Sequence, residues 1–384
     1  MLLSIILSLF ITQIVLQFNC KRFQIRRKKM EFFEDNFGKV NNRDVIRYTV
    51  VNDNNVKMSV LNYGGIWQQY SIPSNNKHGN FNMLLAADYS IEDYLDAGYS
   101  IGQLIGPVAN RIAKAQFSID SQSYSLEKNE GENNIHSGSH GWQNQFWDVK
   151  ANIGKDSAHL ILHNIYSPTA DGMPAHTEIY VVYTLKNDDS VTIVLYGQTD
   201  TPTLFNPTSH TYWNLSETDL TIEKQILTIN SDYHLAVNNE KIPTGELIKN
   251  NNAYDFKNGK TLENALNEMN KTPEKGFDDF FVVTPSSTYA GKEIASLVNP
   301  VTNLKMRMYS DRNALVMFSA NGLPNTVRLN RPGCSWAALA LEAQTLPDAP
   351  HHPEFGDIIM RPLAPVHHQI KYEIEYPGQK LSKN

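Results

Sequence analysis

Short runs of alternating apolar and polar residues fill the chain from about residue 45 onward, separated by clusters of Asn, Asp, Gly and Ser. The last run is the clearest: Ile370, Tyr372, Ile374 and Tyr376 alternate with Lys371, Glu373 and Glu375, which predicts a strand with one buried and one wet face. Val56 to Leu61 reads as another strand. Turn clusters predict hairpins joining Gln116 to Ile119 with Tyr124 to Leu126 around Asp120-Ser121-Gln122, and Glu178 to Leu185 with Val191 to Gly197 around Asn187-Asp188-Asp189. The same pattern returns in Leu304 to Tyr309 with Ala314 to Ser319. Only Ile91 to Ala97 and Leu262 to Met269 have helical spacing, and both are short enough to decorate loops. No Pro/Ser/Gly linker divides this body and no fixed-period repeat runs through it. The pattern therefore predicts an all-β fold, a large single-domain antiparallel β-sandwich over residues 30–384, with two unrelated β-domains as the alternative.

The first 29 residues are of another kind. Leu2 to Phe18 is an apolar run of 17 residues, at the short limit of a membrane span and long enough for a signal-peptide core. The charge follows the run instead of preceding it, which suits a signal anchor better than a cleaved signal and would hold the body on the cytoplasmic side. A third reading starts the protein at Met30, with residues 1–29 an untranslated extension. The expectation is a cytoplasmic body, anchored or secreted only if Met1 is the true start, with membrane contact confined to residues 2–18.

Composition and charge narrow the chemistry. Of 384 residues 41% are apolar, enough for a large buried core. Lys and Arg number 34 against 40 Asp and Glu; six of those bases and no acid fall within residues 1–30, so the rest carries 28 bases against 40 acids, a net of −12. Without a basic stripe interleaved with aromatics, nucleic acid is excluded as a partner. Cys20 and Cys334 are the only cysteines, and no HExxH, P-loop or GxGxxG run occurs. The expectation is chemistry by ordinary side chains, with no cofactor and no metal; the oligomeric state stays open. The sequon at Asn214 places a glycan four residues from a candidate histidine, which argues against secretion.

Five segments hold polar residues in unusual company. In Ala109-Asn110-Arg111-Ile112-Ala113 a guanidinium beside a carboxamide could fork hydroxyl oxygens, though such a pair also reads as a surface salt bridge. Asn133 to Gly138 places His136 among small residues just before Trp142, Phe146 and Trp147, which suits a sugar that stacks C–H faces on rings; a structural histidine is the other reading. Phe205 to Leu215 carries His210 after the strand Val191 to Gly197, where an imidazole could serve acid/base work or structure equally. In Ser335 to Asp348, strand parity puts Leu339 and Leu341 on one face and Ala338, Ala340 and Glu342 on the other, so small residues leave an open floor before the carboxylate. Gly276 to Phe281 sets Asp278 and Asp279 between aromatics, a pair better suited to accepting sugar hydroxyls than to holding a metal.

Taken in order, these segments resemble the aldose 1-epimerase, or galactose mutarotase, family: a Tyr63-Gly64-Gly65 turn, ANRIAK at 109 to 114, NNIHSG at 133 to 138, NPTSHTYWNL at 206 to 215, GFDDFF at 276 to 281 and LEAQTLPDAP at 341 to 350. The resemblance implies a galactose mutarotase-like β-sandwich whose open cleft interconverts the α and β anomers of free hexoses such as glucose and galactose, without cofactor or metal. It implies His210 as general acid and Glu342 as general base, with Asn110, Arg111, His136 and Asp278 holding sugar hydroxyls and Tyr212 in the pocket wall. Ring opening then asks for an ionised carboxylate and a protonated imidazole facing opposite sides of one acetal carbon. Departures from the family pattern fall at Ser209, Ser137, Asp279 and Val316, and they bear on sugar preference. The alternatives are a glycosidase using Asp278 and Glu342, and a non-catalytic sugar-binding sandwich.

Overall fold

Residues 30–74, 79–167, 172–284 and 292–376 are described by the structure, a computed structural model. The apolar and basic head at residues 1–29, with Cys20, lies outside them. Among the described residues no helix is long and apolar enough to cross a membrane.

Alternation resolves into three large sheets whose strand pairs are all antiparallel. A nine-stranded sheet runs Asp148–Ile153, Ser157–Tyr166, Thr177–Lys186, Val191–Thr199, Val366–Glu375, Lys305–Ser310, Glu293–Val298, Ile226–Ile229 and Lys260–Thr261 in spatial order. A six-stranded sheet runs Tyr212–Trp213, Leu339–Gln344, Ala314–Phe318, Asp278–Val282, Tyr233–Val237 and Pro243–Lys249. The third sheet has five strands in sequence order, from Glu31–Val40 to Asn80–Asn82. The expected helices Ile91–Ala97 and Leu262–Met269 are both present.

Local chemistry explains most of the joints. Gln116–Ile119 pairs with Gln122–Ser125, so the turn is the two residues Asp120-Ser121, both with positive φ (49° and 69°), and Gln122 belongs to the strand. That is the turn whose twist matches antiparallel strands. Along Val366–Glu375, Ile370, Tyr372 and Ile374 are buried while Lys371, Glu373 and Glu375 are half-buried. One expected hairpin is a crossover instead: Lys305–Ser310 pairs within the nine-stranded sheet, whereas Ala314–Phe318 pairs within the six-stranded one. The three residues between them carry the chain from one sheet to the other. The β-structure also begins earlier than the alternation suggests, with Glu31–Val40 paired to Arg43–Val51.

The three sheets meet at a knot of fully buried rings. Trp213 of the six-stranded sheet lies 4.9 Å, centroid to centroid, from Tyr372 of the nine-stranded sheet and 5.7 Å from Trp67 of the five-stranded one. Trp67 in turn lies 5.3 Å from Tyr372 and 5.2 Å from Tyr70. The buried core that contains these rings draws on all three sheets. Because each large ring buries much apolar surface and its neighbours cannot collapse into the gap, Trp213→Ala is expected to cost about 3–5 kcal/mol. Urea unfolding should show the lower midpoint.

Candidate active site

Leu339–Gln344 builds the floor of the site. Its alternation divides two environments: Leu339 and Leu341 join the large core, while Ala338 and Ala340 pack with Tyr212 in a smaller cluster. Cross-strand register sets Tyr212, Ala340, Phe318 and Asp278 directly opposite one another, and Glu342 opposite Val316 and then Phe280. Directly opposed residues share a face. The carboxylate and Asp278 therefore stand on the same side of the sheet, separated by small or apolar side chains. Glu342 is only 2% exposed, and its Oε2 is buried without a protein hydrogen-bond partner.

His210 reaches this floor from a loop between two short strands, Thr208–Ser209 and Tyr212–Trp213. Its backbone is clasped on both sides: its N–H donates to the Gln103 carbonyl at 2.9 Å, and its carbonyl accepts from the Gly102 N–H at 2.9 Å. Its ring stacks on Tyr212 at 5.0 Å, and Nε2 lies 3.4 Å from Glu342 Oε1. Two side chains stitch the loop to the floor strand. Thr208 Oγ1 donates to the Ala343 carbonyl at 2.8 Å. The Asn206 carboxamide bonds both backbone groups of Thr345, accepting from its N–H at 2.9 Å and donating to its carbonyl at 3.1 Å. Residues 210 and 342 meet because these stitches leave the loop one place to lie.

A third wall comes from the Asn110 and His136 segments, which hold each other. Both residues have left-handed backbones, φ 63° and 54°. The His136 N–H donates to the Asn110 carbonyl at 3.0 Å, and the Asn110 N–H donates to His136 Nδ1 at 3.1 Å. Since Nδ1 accepts, a neutral His136 carries its proton on Nε2 and can donate from there. The His136 ring meets the His210 ring edge to face at 5.6 Å. Arg111 is buried and gripped by Glu130 through two bonds, Nε to Oε2 at 2.6 Å and Nη2 to Oε1 at 2.8 Å. Nη2 also lies 3.9 Å from Asp278 Oδ2, so Arg111 joins the third wall to the floor. The LEAQTLPDAP run docks on the same wall: Asp348 Oδ1 accepts from the Ala113 N–H at 3.0 Å, and the Asp348 N–H donates to the Arg111 carbonyl at 3.2 Å.

The seven residues expected at the site are thus joined by a chain of contacts around His210 and Glu342. Tyr212 stands as wall rather than donor, since its hydroxyl is spent on the Tyr99 carbonyl at 2.8 Å. Sequence reasoning missed the clamp Glu130 and the stitching roles of Asn206 and Asp348. Asp279 points to the other face, where Tyr254 donates to it at 3.1 Å. Burial raises its pKa to about 6. Asn214 is wholly buried, its amide donating to the Ala337 carbonyl at 2.9 Å, so that sequon is closed in the folded chain. Among the described residues no group of three or more His, Cys, Asp or Glu is placed to hold a metal. A cleft on the nine-stranded sheet, lined by Ile165, His176, Glu178 and Gln198, shares no residue with this site, and its Glu178 is already engaged by Tyr180, Gln198 and His163.

Electrostatics follow from dryness. Burial disfavours a charged imidazole and lowers the His210 pKa to about 4. Burial, reinforced by the nearby Asp278 charge, pushes the Glu342 carboxyl well above its ordinary value. His136 is likewise held neutral, by burial and then by the neighbouring His210 and Arg111. Burial thus disfavours the charged form of both His210 and Glu342. His210 Nε2 and Glu342 Oε1 stand side by side, 3.4 Å apart.

Comparison with known proteins agrees with this architecture. The family model for aldose 1-epimerase matches residues 47–373. Maltose epimerase of Levilactobacillus brevis is 35% identical over 345 residues, covering 90% of this chain and 99% of that protein. Aldose 1-epimerase of Streptococcus thermophilus is 34% identical over 347 residues, 88% of this chain and 96% of that one. The crystal structure of galactose 1-epimerase from Lactobacillus acidophilus superposes with a TM-score of 0.78 over 90% of this chain and 99% of that one, at 24% identity, which shows a shared fold.

The burial of His210 has a consequence that needs no substrate. Nitrogen-15 NMR of the histidines should find its ring neutral at pH 6, gaining a proton only as pH falls toward about 4. A ring titrating at the ordinary 6.5 would contradict the dry site.

Proposed function

This chain belongs to the aldose 1-epimerase family and is an isomerase of sugar anomers, and from that premise we propose that its substrates are free hexoses, glucose or galactose, with His210 and Glu342 as the acid/base pair. The observation that carries the reading is the 3.4 Å approach of Nε2 to Oε1 at the floor of a dry cleft. Two oxygens bonded to one carbon, the anomeric hydroxyl and the ring oxygen, can each face one of these groups. Asn110, Arg111, His136 and Asp278 are proposed to hold the remaining hydroxyls. The same contact weighs against a glycosidase built on Asp278 and Glu342, which leaves His210 without a task.

In ring opening, Glu342 takes the proton of the anomeric hydroxyl while His210 gives one to the ring oxygen. The C1–O5 bond breaks as the C1 carbonyl forms, and both side chains end neutral. The aldehyde rotates about C1–C2. Closure then returns each proton by the reverse path, giving the other anomer. The neutral pair that burial favours is thus the partner of the open-chain sugar, and the ionic pair is the partner of the closed ring. A sugar hydroxyl donating to the unpartnered Glu342 Oε2 stabilises the carboxylate when the ionic form is required. The departures at Val316, opposite Glu342, and Ser209, beside His210, are proposed to bear on sugar preference.

Removing either proton carrier should cost roughly 10²- to 10⁴-fold in rate. Glu342→Gln and His210→Asn are each expected to abolish most of the anomerisation of fresh α-glucose or α-galactose followed by polarimetry, with thermal unfolding little changed. A near-normal rate in either purified variant rejects the assignment. The pH profile of kcat/KM should be a bell whose limbs belong to the pair. On the acid side a second proton leaves no base; since burial holds His210 down to about 4, that limb should lie below the ordinary imidazole range. On the alkaline side the last proton is lost and no acid remains; since burial holds Glu342 up, that limb should lie above the ordinary carboxylate range.

A further inference from the structure

Arg312 lies at the middle of the crossing between Lys305–Ser310 and Ala314–Phe318, only 2% exposed and without a task in the acid/base scheme. Burying a guanidinium away from any carboxylate is costly, and an apolar side chain of similar length would fill the same space more favourably. The adjacent Asp311 is turned elsewhere, accepting from the Gln369 N–H at 2.9 Å and lying 3.4 Å from His368 Nδ1. Arg312 instead donates from Nη2 to two neutral groups, the Asn206 carboxamide oxygen and, at 2.8 Å, the Thr345 hydroxyl. Its Nε and Nη1 are buried without a protein partner. Burial lowers its pKa only to about 10, so the side chain stays charged at neutral pH.

Those two acceptors lie where the arms of the site join. Asn206 stands four positions before His210, and Thr345 three positions after Glu342. The Asn206 backbone also holds the third wall, its N–H donating to the Pro107 carbonyl at 2.7 Å and its carbonyl accepting from the Ala109 N–H at 2.8 Å. One orientation of the Asn206 carboxamide serves this junction, since its oxygen accepts from both Arg312 and the Thr345 N–H while its nitrogen donates to the Thr345 carbonyl. A flipped amide would set donor against donor twice and oxygen against oxygen once. A guanidinium can only donate, so it fixes that orientation, and its charge strengthens the bonds that do so. Asn313 grips the next residue from the same crossing, its Oδ1 accepting from the Leu346 N–H at 3.3 Å. We infer that Arg312 is a positioning residue, whose guanidinium clamps Asn206 to Thr345 and so fixes the approach of His210 to Glu342. The inference rests on reading that pair as acid and base. The side chains assigned to the sugar hydroxyls, Asn110, Arg111, His136 and Asp278, make no bond to this guanidinium, so loosening the clamp belongs in kcat rather than KM.

The test is polarimetry of fresh α-glucose and α-galactose with the full chain, at a temperature where thermal unfolding shows every variant folded. Arg312→Met keeps the length and removes the donors; it should lower kcat roughly 10- to 100-fold while KM moves less than about threefold. Arg312→Lys, which keeps a charged donor, should retain at least about threefold more kcat than Arg312→Met. Because the effect passes through Asn206, adding Arg312→Met to Asn206→Ala should lower kcat by less than about threefold further. A kcat within about twofold of wild type in Arg312→Met, a loss carried by KM, no recovery in Arg312→Lys, or two factors that simply multiply in the double variant each overturn the inference. Where Arg312→Met does not fold, Thr345→Val decides: with one acceptor gone, kcat should fall roughly three- to tenfold at constant KM, and an unchanged kcat overturns the inference. Near-normal rates in Glu342→Gln or His210→Asn remove the acid/base reading and this inference with it, whereas their inactivity beside a fully active Arg312→Met removes only this inference.

Discussion

Taking a carboxyl group out of water is costly, and a protein can sustain it only by neutralising the group or by surrounding it with fitting partners. Glu342 meets that constraint through the strand that carries it. Leu339 and Leu341 bind one face of Leu339–Gln344 to the core, while Ala338 and Ala340 on the other face leave space in front of the carboxyl. The same dryness acts on His210 with the opposite sign. Both groups are thereby pressed toward their neutral forms, in contact with each other.

The geometry that keeps this pair together is distributed over loops distant in sequence. Asn206 and Thr208 fasten the histidine loop to the floor, Asp348 fastens the far end of the floor strand to the Arg111 segment, and Glu130 aligns the guanidinium itself. None of these four contacts a reacting atom in the scheme above, yet each removes a freedom that would let the walls drift. Catalytic positioning is sensitive to shifts on the order of 1 Å. The density of side chain to backbone bonds around the cleft serves that need.

Much of this was legible in the order of residues, for identifiable reasons. Parity along 338–342 revealed the face of Glu342 because alanines flank it, and the wet-and-dry alternation of 370–375 predicted its strand. The clamping contacts of Glu130, Asn206 and Asp348 were not legible, though the last two lie within quoted motifs, since contacts between irregular loops have no period to read. Glu31–Val40 escaped notice because four consecutive residues, Phe33 to Asn36, lie exposed and break alternation. Turn residues at 311–313 announced a reversal without telling whether the chain returned to its own sheet. The burial that shifts both Glu342 and His210 was not legible either, because it is a property of the assembled walls.

That crossing at 311–313 has a mechanical meaning. Ser310 ends a strand of the nine-stranded sheet and Ala314 begins one beneath the cleft, so the floor cannot slide without pulling on the outer layer, and the ring knot at Trp213 locks both to the third sheet. A bed tied to the whole molecule in this way has no hinge of its own among these strands. The swing that exchanges one face of an aldehyde for the other then falls to the carbohydrate, pivoting about its own bond.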